Sequence, residues 1–142
     1  MYLVKQVELA IRARLDDVIR PSGLTAPQYT ALTVLERHPD MSTAQLARNS
    51  FVTSQSMADM ITALESRGLI ERSRDPADRR RLPVALTPLG HQLLDRYRDA
   101  VIEMETQMVA GLTPADIAQL RRSLRTCHEN LAASAASTST AK

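Results

Sequence analysis

The chain has one cysteine, Cys127, and no tryptophan in 142 residues. A lone cysteine excludes an internal disulfide framework. Phenylalanine occurs once and tyrosine three times, so the 44% apolar share must build an almost wholly aliphatic core. No apolar run reaches the length of a membrane span. The opening MYLVKQVELAIRAR carries charges inside its apolar pattern and no cleavage-like site, unlike a signal peptide. The expected location is the cytoplasm. GxSxG, P-loop and GxGxxG signatures are all missing, which argues against an enzyme. His38, His91 and His128 do not stand at ligand spacing. Cys127 and His128 are adjacent, so a helix turns them about a quarter-turn apart. No metal and no cofactor is expected. Cys127 falls on an apolar stripe and reads as a buried small hydrophobe.

Charge is nearly balanced, at +2 overall, but unevenly placed. Arg67, Arg72, Arg74, Arg79, Arg80 and Arg81 crowd one stretch, answered by Glu71, Asp75 and Asp78. Clustered arginine of this kind is an electrostatic footprint for nucleic acid. The bland alternative is a solvated charged hairpin.

Periodicity divides the chain, which by length is one domain, into six helices and one hairpin. Val4, Val7, Ile11, Leu15 and Val18 form a helical stripe over residues 2–19. A second helix spans 24–37, opened by a Thr25/Gln28 capping box. A third, 43–49, is opened by the same device at Ser42 and Gln45. A fourth, 54–67, starts at Thr53, with Val52 and Met57 spaced as a hydrophobic staple. It buries Met57, Met60, Ile61 and Leu64, ends at Gly68, and leaves Gln55, Asp59, Thr62 and Ser66 on its polar face. Residues 69–74 and 82–86 alternate as strands around Asp75-Pro76-Ala77-Asp78, a type I turn opening. Pro83 marks its strand as an edge there. Thr87-Pro88 opens a fifth helix, to about residue 110, with a stripe of Leu94, Tyr97, Val101, Met104 and Met108. Thr113, Pro114 and Asp116 open a sixth, striped by Ile117, Leu120, Leu124, Cys127 and Leu131. The tail 132–142 is small and polar, and disorder is expected for it.

Two short helices joined by a tight turn make a helix-turn-helix, whose second helix can enter a major groove. The run LARNSFVTSQSMADMITALESRGLIERSRDPADRRRLPVALTPLG resembles the winged helix-turn-helix of MarR-type transcriptional regulators. The resemblance rests on Leu46-Ala47, Val52 to Met57, Leu64 with Arg67-Gly68-Leu69-Ile70, Asp75 to Arg80, and Leu86-Thr87. The Asp-x-Arg at Asp78 and Arg80 is its most specific piece.

The resemblance implies a mainly α fold with a small β-hairpin. Residues 24–87 form the winged helix-turn-helix head, and 1–20 with 88–131 form dimerisation helices from both termini. It implies a repressor that binds double-stranded DNA at a palindromic operator as a homodimer, and an unidentified small aromatic effector. Candidate base contacts are Ser54, Gln55, Ser56, Asp59 and Thr62; Gln55 can pair bidentately with adenine, and Asp59 can accept from cytosine. Asp59 reads equally well as a surface carboxylate near Arg48 or Arg67. Arg72, Arg74, Asp78, Arg79, Arg80 and Arg81 are the candidate wing contacts. The resemblance sends Arg80 into the minor groove, while Arg79 and Arg81 compete for that place on sequence alone. Tyr29, Arg14 and His38 could line an effector cleft, though core packing and surface exposure explain them as well. Relatives that sense peroxide do so through a first-helix cysteine, which this chain lacks. The rival reading is a winged-helix module that binds protein instead of DNA.

Overall fold

A computed structural model of the chain describes residues 1–50, 52–72 and 83–139. It divides into two compact units, Met1–Met104 and Glu105–Lys142.

The first unit holds α1 (Tyr2–Ile19), α2 (Ala26–Arg37), α3 (Thr43–Asn49), α4 (Ser54–Ser66), β1 (Ile70–Arg72), β2 (Val84–Leu86) and most of α5 (Pro88–Met108). Helix starts follow their local signals. Thr25 and Gln28 cap α2 reciprocally, and Ser42 and Gln45 do the same for α3. The second helix thus starts at Ala26, two residues after the expected position, because Thr25 is its extended N-cap. The end of α4 is a Schellman closure. Gly68 N–H donates to Glu65 O (2.9 Å), Leu69 N–H donates to Leu64 O (3.1 Å), and Gly68 sits at φ 68°.

The core is aliphatic as expected. Ile19, Leu32, Leu35, Leu46, Met57, Ile61, Leu64, Ile70, Val84 and Leu94 are its largest fully buried side chains. Fully burying such a side chain stabilises by about 1.5–3 kcal/mol. Along α1 only the last turns join this core: Leu15 and Ile19 are buried, whereas Val4 and Val7 are exposed.

The hairpin pairs Ile70 with Leu86, Glu71 with Ala85 and Arg72 with Val84, antiparallel. Its strands are shorter than expected within the described residues. Val84 is paired on its other side as well, in a bridge to Met41 whose Val84 N–H donates to Met41 O (2.9 Å). Pro83 lies just before β2, which belongs to a two-stranded sheet, in keeping with the edge expected there; the second partner enters one residue later, at Val84. Asp40, at φ 62°, turns the chain into that bridge. After β2, Thr87 ties the returning chain to the end of α4. Its hydroxyl donates to Gly68 O (2.6 Å) and accepts from Gly90 N–H (3.1 Å), and its own N–H donates to Leu69 O (3.1 Å).

The second unit holds the end of α5 and all of α6 (Pro114–Ser139). Thr113 and Asp116 cap α6 reciprocally: Thr113 N–H donates to Asp116 Oδ2 (3.0 Å) and Asp116 N–H to Thr113 Oγ1 (3.2 Å). Hydrogen bonds from the Thr113 side chain and backbone hold the Asp116 carboxyl below its ordinary value. The helix runs on to Ser139, so the disorder expected for 132–142 is corrected over 132–139. The physical reason is alanine: AASAAS is small and polar in composition, yet alanine has the highest intrinsic helix propensity. Leu120, Leu124 and Leu131 are exposed, and so is Cys127. Of the stripe predicted to bury Cys127, Ile117 is half-buried and the other four residues are exposed.

Candidate nucleic-acid interface

The second helix of the helix-turn-helix, α4, has one face in the core and one in solvent. Met57, Ile61 and Leu64 anchor it, with Met60 half-buried. Ser54, Gln55, Ser56, Asp59 and Thr62 are all exposed. The structure thus brings the five candidate base contacts together on one helix, four of them in its first two turns. The start is fixed by Thr53, whose Oγ1 accepts from Ser56 N–H (3.1 Å) and donates to Ser56 Oγ (2.9 Å). Gln55 and Asp59 meet one turn apart, with Gln55 Nε2 donating to Asp59 Oδ1 at 3.4 Å. Asp59 pairs with neither Arg48 nor Arg67 among the described residues. Arg67 instead donates to Ser22 O (2.5 Å). The Thr62 hydroxyl donates back to Ala58 O (3.0 Å), which leaves its lone pairs to accept.

Of the wing candidates, Arg72 lies within the described residues. It is the last residue of β1 and is exposed. Its guanidinium is already engaged: Nε donates to Glu65 Oε1 (3.3 Å) and Nη2 to Glu65 Oε2 (2.5 Å). The hydrogen bond and charge of Glu65 push the Arg72 pKa up. This partner was not visible in the sequence, because seven residues and a helix end separate the two. Arg74, Asp78, Arg79, Arg80 and Arg81, with the Asp75-Pro76-Ala77-Asp78 turn, lie outside the described residues.

A second feature of the first unit is a cleft of about 340 Å³. Arg67, Arg96, Ser22 and Gln92 give it polar walls, and Pro21, Leu89, Leu93 and Tyr97 apolar ones. Arg96 stands over the Tyr97 ring, 5.9 Å from its centroid. Tyr29, Arg14 and His38 are not around it; Tyr29 is in the core, and the other two are exposed. Among the described residues no cluster of histidine, cysteine and carboxylate could hold a metal ion, and no helix is long and apolar enough to cross a membrane.

The MarR family model matches residues 24–82. The HTH-type transcriptional repressor Rv2887 of Mycobacterium tuberculosis is 32% identical over 123 residues, 87% of this chain and 88% of that protein. Its crystal structure in complex with salicylic acid aligns with a TM-score of 0.71 at 31% identity, covering 89% of this chain and 93% of that one. The transcriptional repressor CouR bound to a 23-mer DNA duplex aligns with a TM-score of 0.78 at 26% identity, covering 89% and 90%. CouR comes from Rhodococcus jostii RHA1. A MarR family regulator from Silicibacter pomeroyi reaches 0.86 over 91% and 87% of the chains at 20% identity, which bears on the fold alone. With a winged helix-turn-helix at its centre and these relatives along nearly its whole length, the chain belongs to the MarR family of transcriptional regulators.

Proposed function

We propose that this protein is a transcriptional repressor that binds an imperfect palindromic operator as a homodimer and leaves it when a small amphipathic anion binds. One observation carries the reading. The first two turns of α4 present Gln55 and Asp59, already oriented by each other, on a helix held rigidly by Met57, Ile61 and Leu64. A helix-turn-helix reads base edges with the N-terminal residues of its second helix, and this arrangement supports that role here. Residues 24–87 are the reading head in this account. Residues 1–20 and 88–131 join two copies, and the protein works in the cytoplasm, with no catalytic step. Two observations support dimerisation: Leu3, Val4 and Val7 of α1 are exposed, as are Leu120, Leu124 and Leu131 of α6. An isologous pairing covers such faces, and two-fold dimers are the commonest oligomers.

The chemistry of the cleft supports an effector of this class. The cleft offers two arginines for a carboxylate and Leu89, Leu93 and Tyr97 for an apolar body. That matches the class of ligand in the salicylic acid complex of Rv2887. Binding to DNA from around the protein's own gene tests the core of the proposal. Affinity should fall steeply and log-linearly with salt, as counterion release requires. Salt-independent binding, or none, would favour the protein-interaction reading.

A further inference from the structure

Glu65 is unexplained by a simple DNA-contact account. It is a carboxylate next to the last residue of α4. A helix C-terminus disfavours negative charge, and so does a surface meant for phosphate. Its compensation is Arg72, held by both carboxylate oxygens in the fork geometry that makes arginine pairs directional. Arg72 is the last residue of β1. Among the described residues, this is the one ion pair between α4 and the hairpin.

We propose that Glu65 and Arg72 form a positioning pair. It fixes the wing relative to the recognition helix, so that Arg72 serves operator specificity through Glu65 and not as a phosphate contact. The inference rests on the DNA-binding reading above. Both side chains remain partly open, at 35% and 40% exposure, so the pair adds little to folding stability. Its leverage is geometric. Among the described residues the root of the hairpin has three paired residues on each strand, so the pair sits where the angle between β1 and α4 is set. A paired Arg72 also contributes no net charge toward DNA, and its raised pKa reflects the same engagement.

The test measures binding to operator and to random duplex across salt concentrations for a set of variants. Glu65→Gln and Arg72→Ala should each weaken operator binding about three- to five-fold, the scale of an exposed ion pair. The double variant, Glu65→Ala with Arg72→Ala, should be no worse than either single one. The swap, Glu65→Arg with Arg72→Glu, should restore most of the loss. Arg72→Lys keeps the charge but loses the fork, and should behave like Arg72→Ala. Arg72→Ala should keep the wild-type salt slope, and Glu65→Gln should bind random DNA more tightly. The pair is refuted if Arg72→Ala lowers the slope by about one contact and weakens random DNA equally, while Glu65→Gln and Arg72→Lys leave operator binding intact. A wild-type protein with no operator preference would instead refute the DNA-binding reading. A clear preference with no rescue by the swap refutes the pair alone.

Discussion

At the scale of single residues, Gln55 and Gly90 show two different ways of mattering. Gln55 is exposed and contributes nothing to the core, so its value lies in what it meets outside. Its amide donates to Asp59, and the contact proposed for it is a bidentate one with adenine. Gln55→Ala should therefore cost about 1–3 kcal/mol on the operator and little on random DNA, measured by paired titrations. Equal losses on both would make Gln55 a positioning group only. Gly90 is the opposite case. A Cβ there would stand 2.2 Å from Leu69 O and 3.1 Å from Leu86 Cδ2, so α5 passes directly against the root of the hairpin. Gly90→Ala should destabilise the fold by about 1–3 kcal/mol, as forced overpacking does, read as a lower thermal midpoint. An unchanged midpoint would mean that the approach is slack.

At the scale of elements, the wing carries the sharpest expectation. The Asp78 and Arg80 pairing implied by family likeness can be separated from diffuse charge. Arg80→Ala should weaken operator binding far more than Arg79→Ala or Arg81→Ala and lower the salt slope by about one contact. Asp78→Ala should weaken binding too, although it removes a negative charge. Tighter binding by that variant, with three interchangeable arginines, would reduce the wing to an unspecific charged flap. The elements also show how far the sequence could be read. Caps, staples and glycine stops act over three to six residues, so Thr25, Ser42, Thr53 and Gly68 marked α2, α3 and α4 correctly. Contacts between distant segments left no such trace. The Met41–Val84 bridge, the Glu65–Arg72 pair and the Arg67–Ser22 hydrogen bond join residues 43, 7 and 45 positions apart. Nothing in local pattern requires them. Composition misled at the end of α6, where alanine favours helix while small polar residues suggest disorder. The exposed face of α4, on which the five base-contact candidates lie, was legible because a 3.6-residue period alone separates it from Met57, Ile61 and Leu64.

At the scale of the whole molecule, one chain leaves too much apolar surface uncovered. Leu124 is 49% exposed and Leu131 67%, on a helix whose described residues include none that is buried. Cys127 shares that stripe, so its exposure in one chain is an exposure that a partner would end. Sedimentation should find a dimer at micromolar concentration. A monomer that still binds operator tightly would overturn the dimer reading.

A dimer of this kind carries two copies of α4 related by a two-fold axis, and a two-fold reader requires a two-fold site. The most direct measurement is a footprint on the DNA flanking the protein's own gene. The account predicts two protected half-sites in inverted repeat, their centres about one helical turn (10–10.5 bp) apart on one face of the duplex. A single asymmetric half-site, or protection with no sequence preference, would contradict it.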